Sequence, residues 1–427
     1  MVKPGYKQTE IGVIPEDWET SSLSAAFQKL EAGVSVNSDN ALSSEYHILK
    51  TSAVHDGVVD TAETKPVIPQ DYLRLKCPLV KGSIIISRMN TPALVGECGF
   101  TKDAKAGTYL PDRLWQIQNF NKSSFDFVWL NYLLNTKQYR DAVRATATGT
   151  SNSMKNISKE RMLDIEIPRP PINEQENIAA ALSEVDELIN LVEKQIDKKK
   201  AIKQGAMQEL LTGKRRLPGF SGEWETKKLE DYCSLITKQT GFDYSAYIKP
   251  ALITRKMPNT FPMIQTINFR GRKFTFETDY YIPQSVAMQF PNIVLNKKCV
   301  LFSIVGASVG NVGLYPGSIT AFCGGAIGIT RFRNEQDAEW VFNYMSSPDG
   351  QSQIQYVTKG GAQATVTIAD IRNFKIPTPE KDERDAISGI LENMDHEIEV
   401  LEQKLEKYRE VKQGMMQQLL TGKIRLV

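Results

Sequence analysis

Two stretches of the chain carry apolar residues in an alternating 4-3 rhythm. Ile178, Leu182, Val185, Ile189, Val192 and Ile196 form the first set, and Ile387, Leu391, Met394, Ile398, Leu401, Leu405 and Tyr408 the second. That spacing lays one narrow apolar stripe along each of two long helices, as in the seam of a coiled coil. The flanking residues agree. Asn173, after Pro170-Pro171 and three residues before Glu176, has the form of a capping box, and Asp382 after Pro379 can open the second helix. Thr212-Gly213-Lys214 and Thr421-Gly422-Lys423 supply a terminating glycine and a cation at the far ends. Each stripe needs cover. The other helix is the simplest partner, and the domain preceding each helix is the alternative.

The regions before the helices have a different pattern. Residues 19–165 and 225–374 hold short β-branched or aromatic runs broken by Gly, Pro, Asn and Asp, such as Ile84-Ile85-Ile86-Ser87 and Val300-Leu301-Phe302-Ser303. These predict short strands and loops, with a helical patch near 125–145 and another near 338–356.

The chain also repeats itself. The fifteen residues from Lys203 to Leu217 recur 209 positions later from Lys412 to Leu426 with twelve identities, and Ile167-Pro168-Arg169-Pro170 matches Ile376-Pro377-Thr378-Pro379 at the same offset. Upstream the match loosens: Trp18-Glu19-Thr20 answers Trp224-Glu225-Thr226, and Asn131-Tyr132 answers Asn343-Tyr344. A tandem duplication follows. Four segments are expected: a first strand-rich domain over 1–165, a first helix over 166–215, a second domain over 216–374 and a second helix over 375–427.

A length of 427 residues suits two domains, and 41% hydrophobic with 24% charged residues describes a globular chain. Its longest apolar runs are too short to span a bilayer, and residues 1–6 carry no apolar leader, so a cytoplasmic location without membrane contact is expected. Cys77, Cys98, Cys233, Cys299 and Cys323 lack CxxC spacing, and with only His47, His55 and His396 beside them no metal site is expected.

Catalytic motifs are missing. No GxxxxGK[ST] loop occurs, and the glycines of 306–313 run into Leu314-Tyr315-Pro316, which favours a tight turn over a dinucleotide site. No Asn-Pro-Pro-aromatic or Asp-Pro-Pro-aromatic tetrapeptide of an amino-methyltransferase is present. Binding features are better represented. Between 249 and 276 the chain carries Lys249, Arg255, Lys256, Arg270, Arg272 and Lys273 with no acid before Phe276, interleaved with phenylalanines. Net charge is only +2, so such local clusters must carry any nucleic-acid argument. Cations there could neutralise phosphates, and arginine could read guanine; a basic solvated hairpin with its phenylalanines in the core is the competing reading. In the first half the candidates are Lys50, His55, Arg88, Asn90, Thr91, Arg113 and the polar loop with Thr150, Ser151, Asn152 and Lys155; Lys359 joins the second-half set.

Ile11-Gly12 with Ile14-Pro15 and Trp18, the Ile-Pro-x-Pro before Asn173-Glu174-Gln175 and before Asp382-Glu383-Arg384, and the repeated Leu-Leu-Thr-Gly-Lys together resemble the DNA-specificity subunits of type I restriction-modification enzymes along the whole chain. The second copy departs slightly, with Glu380 for a second proline and Arg384 for Gln175. The resemblance implies an α+β chain: two tandem mixed target-recognition domains, separated by two helices paired as an antiparallel coiled coil with a pseudo-two-fold axis. It implies a non-catalytic subunit that reads a two-part sequence in double-stranded DNA. It also implies two modification subunits carrying S-adenosylmethionine, and restriction subunits using ATP and Mg2+, with no cofactor on this chain. No base-reading residue carries over from it. A helix from Asn173 to Leu211 would be about 58 Å long at 1.5 Å per residue, roughly 17 base pairs of DNA. A self-contained nuclease or methyltransferase, and a coiled-coil scaffold with no DNA role, are the competing functions.

Overall fold

A computed structural model describes residues 3–149, 154–359 and 364–427. Contacts divide the chain into two units, one of residues 1–193 with 404–427 and the other of 194–403. This differs from the four sequence segments, because each end of each long helix packs on a strand-rich body. The cut therefore falls within the helices.

The first unit is built on a six-stranded sheet, in the order Phe27–Ala32, Leu114–Phe120, Ile84–Ser87, Cys98–Phe100, Gly57–Val59, Val54–His55. Ile84-Ile85-Ile86 is buried throughout because successive side chains face opposite sides of a strand. Ile84 and Ile86 join a core with Trp18, Phe27, Phe125 and Trp129, while Ile85 joins one with Leu49, Leu110 and Leu114. The second unit repeats the central order as Cys233–Lys238, Ile327–Phe332, Cys299–Ser303, Val312–Tyr315. Here Val300 and Phe302 face a core with Trp340, while Cys299 and Leu301 face one with Phe322. The helical patches are Phe127–Leu134 with Lys137–Ala145, and Asp337–Met345 with Pro348–Val357.

Each domain enters and leaves through one strand pair. Glu19–Ser22 lies antiparallel to Glu166–Arg169, and Glu225–Lys228 to Lys375–Thr378. The exit strands feed the long helices, Ile172–Leu210 and Lys381–Leu419. Asn173 lies inside the first turn rather than capping it: the Pro171 carbonyl accepts from the backbone N–H groups of Glu174 and Gln175. The prolines close the start themselves, and Gln175 is left to bind the backbone of Asp126, Ser124 and Pro170.

Both partners foreseen for the stripes are used. In the first unit Ile178 and Leu182 pack with Trp18 and Trp129 of the domain and with Leu419 and Leu420 at the end of the other helix. In the second, Ile387 and Leu391 pack with Trp340 and with Met207, Leu210 and Leu211. Val192, Ile196 and Ile398 are buried along the seam, while Val185, Ile189, Met394, Leu401, Leu405 and Tyr408 are half-buried. Within the first unit Asp186 pairs with Lys412 at 2.6 Å and Glu193 with Arg409 at 2.7 Å. Within the second, Lys199 pairs with Glu397 at 2.6 Å and Lys203 with Asp395. In both units partners descend along one helix as they rise along the other, so the segments run antiparallel. Among the described residues no helix is long and apolar enough to cross a membrane.

Candidate nucleic-acid interface

In the first domain the chain leaves strand Ile84–Ser87 through Arg88 into Met89–Asn90, which pairs antiparallel with Lys155–Ile157. The Arg88 N–H donates to the Arg113 carbonyl at 3.1 Å, and the Arg88 carbonyl accepts from Ile157 at 2.9 Å. Five candidates thus meet at one end of the sheet: Arg88, Asn90, Thr91, Arg113 and Lys155. Thr91 and Arg113 are exposed. Arg88 lies over the Trp115 ring, 5.6 Å from its centroid, with its Nε buried and without a hydrogen-bond partner. Asn90 donates to Ser87 Oγ at 3.2 Å and accepts from the Thr91 N–H at 2.8 Å. The following turn is pinned from behind, since Arg144 donates to the Ala93 carbonyl at 2.7 Å and to Glu97 at 2.8 Å. Lys155 Nζ donates to the Gly149 carbonyl at 2.6 Å. Thr150, Ser151 and Asn152, in the loop between them, lie outside the described residues.

Lys50 and His55 stand apart from this strand pair. Lys50 follows His47–Leu49, a strand of a separate three-stranded sheet, and is paired with Glu63 at 3.0 Å. His55 is exposed on the edge strand of the six-stranded sheet, 3.5 Å from Asp56.

The second domain repeats the geometry with other side chains. Ile304 follows Cys299–Ser303 as Arg88 follows Ile84–Ser87: its N–H donates to the Ala326 carbonyl at 2.9 Å, and its carbonyl accepts from Val366 at 3.0 Å. Lys359 and Thr365 exchange backbone hydrogen bonds at 3.1 and 2.9 Å, as Thr148 pairs with Asn156 in the first domain. Sequence reasoning missed this equivalence. Its signal is slight, a Gly after Thr148 and after Lys359 at the same point past the helical patch. Exposed Lys359 borders residues 360–363, which lie outside the described residues.

The basic segment 249–276 separates into two sets. Lys249, Arg255, Lys256 and Arg270 are exposed, and none makes an ion pair among the described residues. Phe242 and Tyr247, just before this segment, and Met257 within it are also exposed. Arg272 and Lys273 differ from these in having carboxylate partners within the protein. Arg272 forms an ion pair with Glu339 at 2.7 Å, donates to Asp395 at 3.0 Å and lies 5.0 Å from the Phe342 centroid, while Lys273 pairs with Glu402. Burial raises the Glu339 carboxyl, but Arg272 and Lys298 outweigh it and hold the group below the usual glutamate range. Carboxylates of that kind compete directly with a phosphate for the guanidinium.

No thiol here is poised for nucleophilic chemistry. All five cysteines are buried, and burial pushes Cys77 up to about 11 and Cys98, Cys233 and Cys299 up to about 12, with Cys323 also well above its usual value.

Residues 15–201 and 221–408 each match the family model described as the type I restriction modification DNA specificity domain. A Methanocaldococcus jannaschii protein described as the MjaX specificity subunit of a type I restriction enzyme is 28% identical over 434 residues, covering 99% of this chain and 97% of its own length. The type I restriction enzyme MjaVIII specificity subunit of the same organism is 24% identical over 433 residues, covering 97% and 94%. The fold matches that of the type I restriction-modification S subunit from M. genitalium, with a TM-score of 0.59 at 16% identity over 94% of this chain and 96% of that one. It also matches a chain from a type I restriction-modification system studied for its complex assembly, with a TM-score of 0.56 at 15% identity over 96% and 99%. With one domain match on each half of the duplication, the chain belongs to the type I restriction-modification DNA specificity family and is similar over nearly its whole length to the specificity subunits that give such systems their DNA sequence recognition.

Proposed function

We propose that the two recognition domains read two different half-sites of one bipartite, asymmetric DNA target, and that the long helices set the gap between them. The observation that carries this reading is the duplication itself, in which each half ends in a 39-residue helix. Such a helix is about 58 Å long, which limits the half-site separation to roughly 17 base pairs. The two interface ends differ: Arg88, lying over Trp115, and exposed Arg113 stand in the first domain where the second has Ile304, its side chain buried in the core, and half-buried Ala326, so the two ends would select different bases. In the first domain Arg88, Asn90, Thr91, Arg113 and Lys155, with the 150–153 loop, are the proposed contacts. In the second they are Lys249, Arg255, Lys256, Arg270 and Lys359.

The chain would act without catalysis of its own, in the cytoplasm, bound to two modification subunits that supply S-adenosylmethionine. Restriction subunits driven by ATP and Mg2+ would join that complex. The test is adenine-methylation mapping of DNA from a host expressing this chain with its modification subunits, alongside a methylation assay on the pure chain. A two-part methylated motif with a fixed gap is expected in the host, and no methyl transfer by the chain alone. A motif with one continuous block of bases would sink the reading.

A further inference from the structure

We propose that the hairpin of residues 269–274 is a positioning strut, in which Arg272 and Lys273 hold the second recognition domain at one angle on the second long helix and so fix which half-site gap is accepted. The inference rests on the bipartite reading above.

The base of the hairpin is part of the domain. Phe269 stacks on Phe274 with centroids 5.6 Å apart, and Phe274 meets Tyr315 edge-on at 5.4 Å. Asn311 donates to the Phe269 carbonyl at 2.7 Å, and Gly271 bridges Gly313 on the neighbouring strand. Gly271 turns the chain with φ of 62°, a conformation glycine adopts at no steric cost. The tip beyond it reaches the helix. Arg272 Nε donates to Asp395 Oδ2, Lys273 pairs with Glu402, and Glu402 also takes Lys200 at 2.9 Å. Asp395 and Glu402 are seven residues apart, which places them on one helix face about 10 Å apart along the axis. Two grips at that separation fix a direction as well as a point of attachment. Glu339 and the Phe342 ring hold the same guanidinium from the domain side.

Among the described residues the first domain has no such strut. The repeat equivalents of Asp395 and Glu402 are Asp186 and Glu193. Asp186 is taken by Lys412 and the Tyr132 hydroxyl, and Glu193 by Arg409, so among the described residues neither meets a cation of the recognition domain. Phe127 stands where the second domain has Glu339, and it stacks on Phe120 instead. Among the described residues the extra attachment is therefore a property of the second domain. Its cations spend their charge on helix carboxylates, a geometry that orients a domain and adds nothing to phosphate binding.

The test uses the full chain with its modification subunits in a host, with Arg272→Gln and Lys273→Gln combined, and maps methylated sites. Both half-site sequences should stay as in the unmodified protein, while sites whose gap is one base pair longer or shorter become modified at least about tenfold more often. Arg272→Lys with Lys273→Arg keeps both charges and should restore the strict gap. Arg270→Gln, on the same hairpin but unpaired, should weaken DNA binding with the gap unchanged. Should the double variant fail to fold, Lys273→Gln alone removes only the exposed grip and should relax the gap to a lesser degree. Strict gap selection in the variants, with all sites losing occupancy alike, would overturn the strut and make these residues phosphate contacts. If the unmodified protein itself yields no two-part motif, the bipartite reading fails first, and the two failures are thereby distinguished.

Discussion

Arg425 and Glu174, 251 positions apart in the chain, share two charge-assisted hydrogen bonds, Nε to Oε1 at 2.7 Å and Nη2 to Oε2 at 2.8 Å. Trp18 Nε1 donates to the same carboxylate at 2.8 Å, and its ring lies 5.7 Å from the guanidinium carbon. The second unit contains the repeat-related trio: Arg216 holds Glu383 with two bonds of 2.7 Å, and Trp224 donates to Glu383 at 3.0 Å. Each trio joins the entry of a recognition domain, the start of its own helix and the tail of the other helix. The Glu side chains are 1% exposed.

Removing the arginine strands a buried carboxylate. A cut buried pair typically costs 3–5 kcal/mol, and partial exposure of the guanidinium brings the expected loss for Arg425→Ala to about 3 kcal/mol, with Arg216→Ala destabilising in the same direction. Arg425→Lys should recover less than half, because an ammonium cannot supply the paired donors. Urea unfolding of each variant checks both values, and a loss under about 0.5 kcal/mol would mean that water reaches the Glu.

The same arginine gives a pH signature. Arg425 bonds Asp17 at 2.7 and 2.9 Å and thereby holds the Asp17 carboxyl below the usual aspartate range. A carboxylate depressed in the folded state stabilises fully above its unfolded value, near 3.9, and loses that contribution as pH falls through the folded value. The stability difference between the unmodified protein and Asp17→Asn should therefore be constant from about pH 8 to 5 and shrink below about 4. Denaturation midpoints along that series measure it, and a difference that grows in acid would contradict the assignment.

Much of this architecture is legible in the sequence, and the reason is periodicity. The 209-residue offset, the 4-3 stripes and the Thr-Gly-Lys ends are local patterns, so helices and duplication follow directly. Partners distant in sequence are not local. Arg425 gives no sign that it will meet Glu174, and the basic run at 270–273 reads as free charge because its carboxylates, Glu339, Asp395 and Glu402, arrive from helices 66 or more positions downstream. Arg88, Arg113 and Lys155 are each visible as polar residues in loops, but only strand pairing brings them together.

The two helix-ending glycines separate backbone strain from steric clash. Gly213 and Gly422 both have φ of 70°, where a side chain costs about 1–2 kcal/mol. A Cβ at Gly213 would meet Trp224 at an ordinary 3.4 Å, whereas one at Gly422 would lie 2.5 Å from Pro15 Cγ and 3.1 Å from Trp18. Gly213→Ala should cost about 1 kcal/mol and Gly422→Ala about 3 kcal/mol, the excess being overpacking. Equal losses in urea unfolding would place the whole effect in the backbone.

Phosphate contacts can be told from structural cations by salt. Each lysine or arginine that neutralises a phosphate contributes about 0.9 to the slope of log K against log salt. Lys256→Gln and Arg255→Gln, at exposed positions without ion pairs, should each lower that slope by about 0.9 in the assembled complex. Lys298→Gln, whose ammonium is 2.9 Å from Glu339, should leave it unchanged. Fluorescence anisotropy over a salt series decides, and identical slopes for all three would place 249–256 off the DNA.

Helix length as a ruler gives the last prediction, and the packing dictates where to alter it. Leu210 and Leu211 are core residues of the second unit, and Gly213 and Arg216 follow at once, so lengthening the chain after Leu211 would break the Arg216–Glu383 clamp. The repeat offers a better pair of positions, after Glu193 and after Glu402, where the helix surface is largely solvated. Four residues added at both keep each domain on its own helix ends and lengthen each helix by about 6 Å, close to two base pairs at 3.4 Å. Such a stutter shifts the seam phase only locally. Both half-sites should keep their sequences while the gap grows by one or two base pairs. Leu182→Asp acts otherwise: Leu182 is fully buried with Trp18, Trp129 and Leu419, so an unpaired charge there should unfold the first unit. The packing puts the loss in the first recognition domain. Mapping of methylated sites distinguishes these outcomes, and an unchanged gap in the lengthened protein would mean that the helices do not measure the DNA.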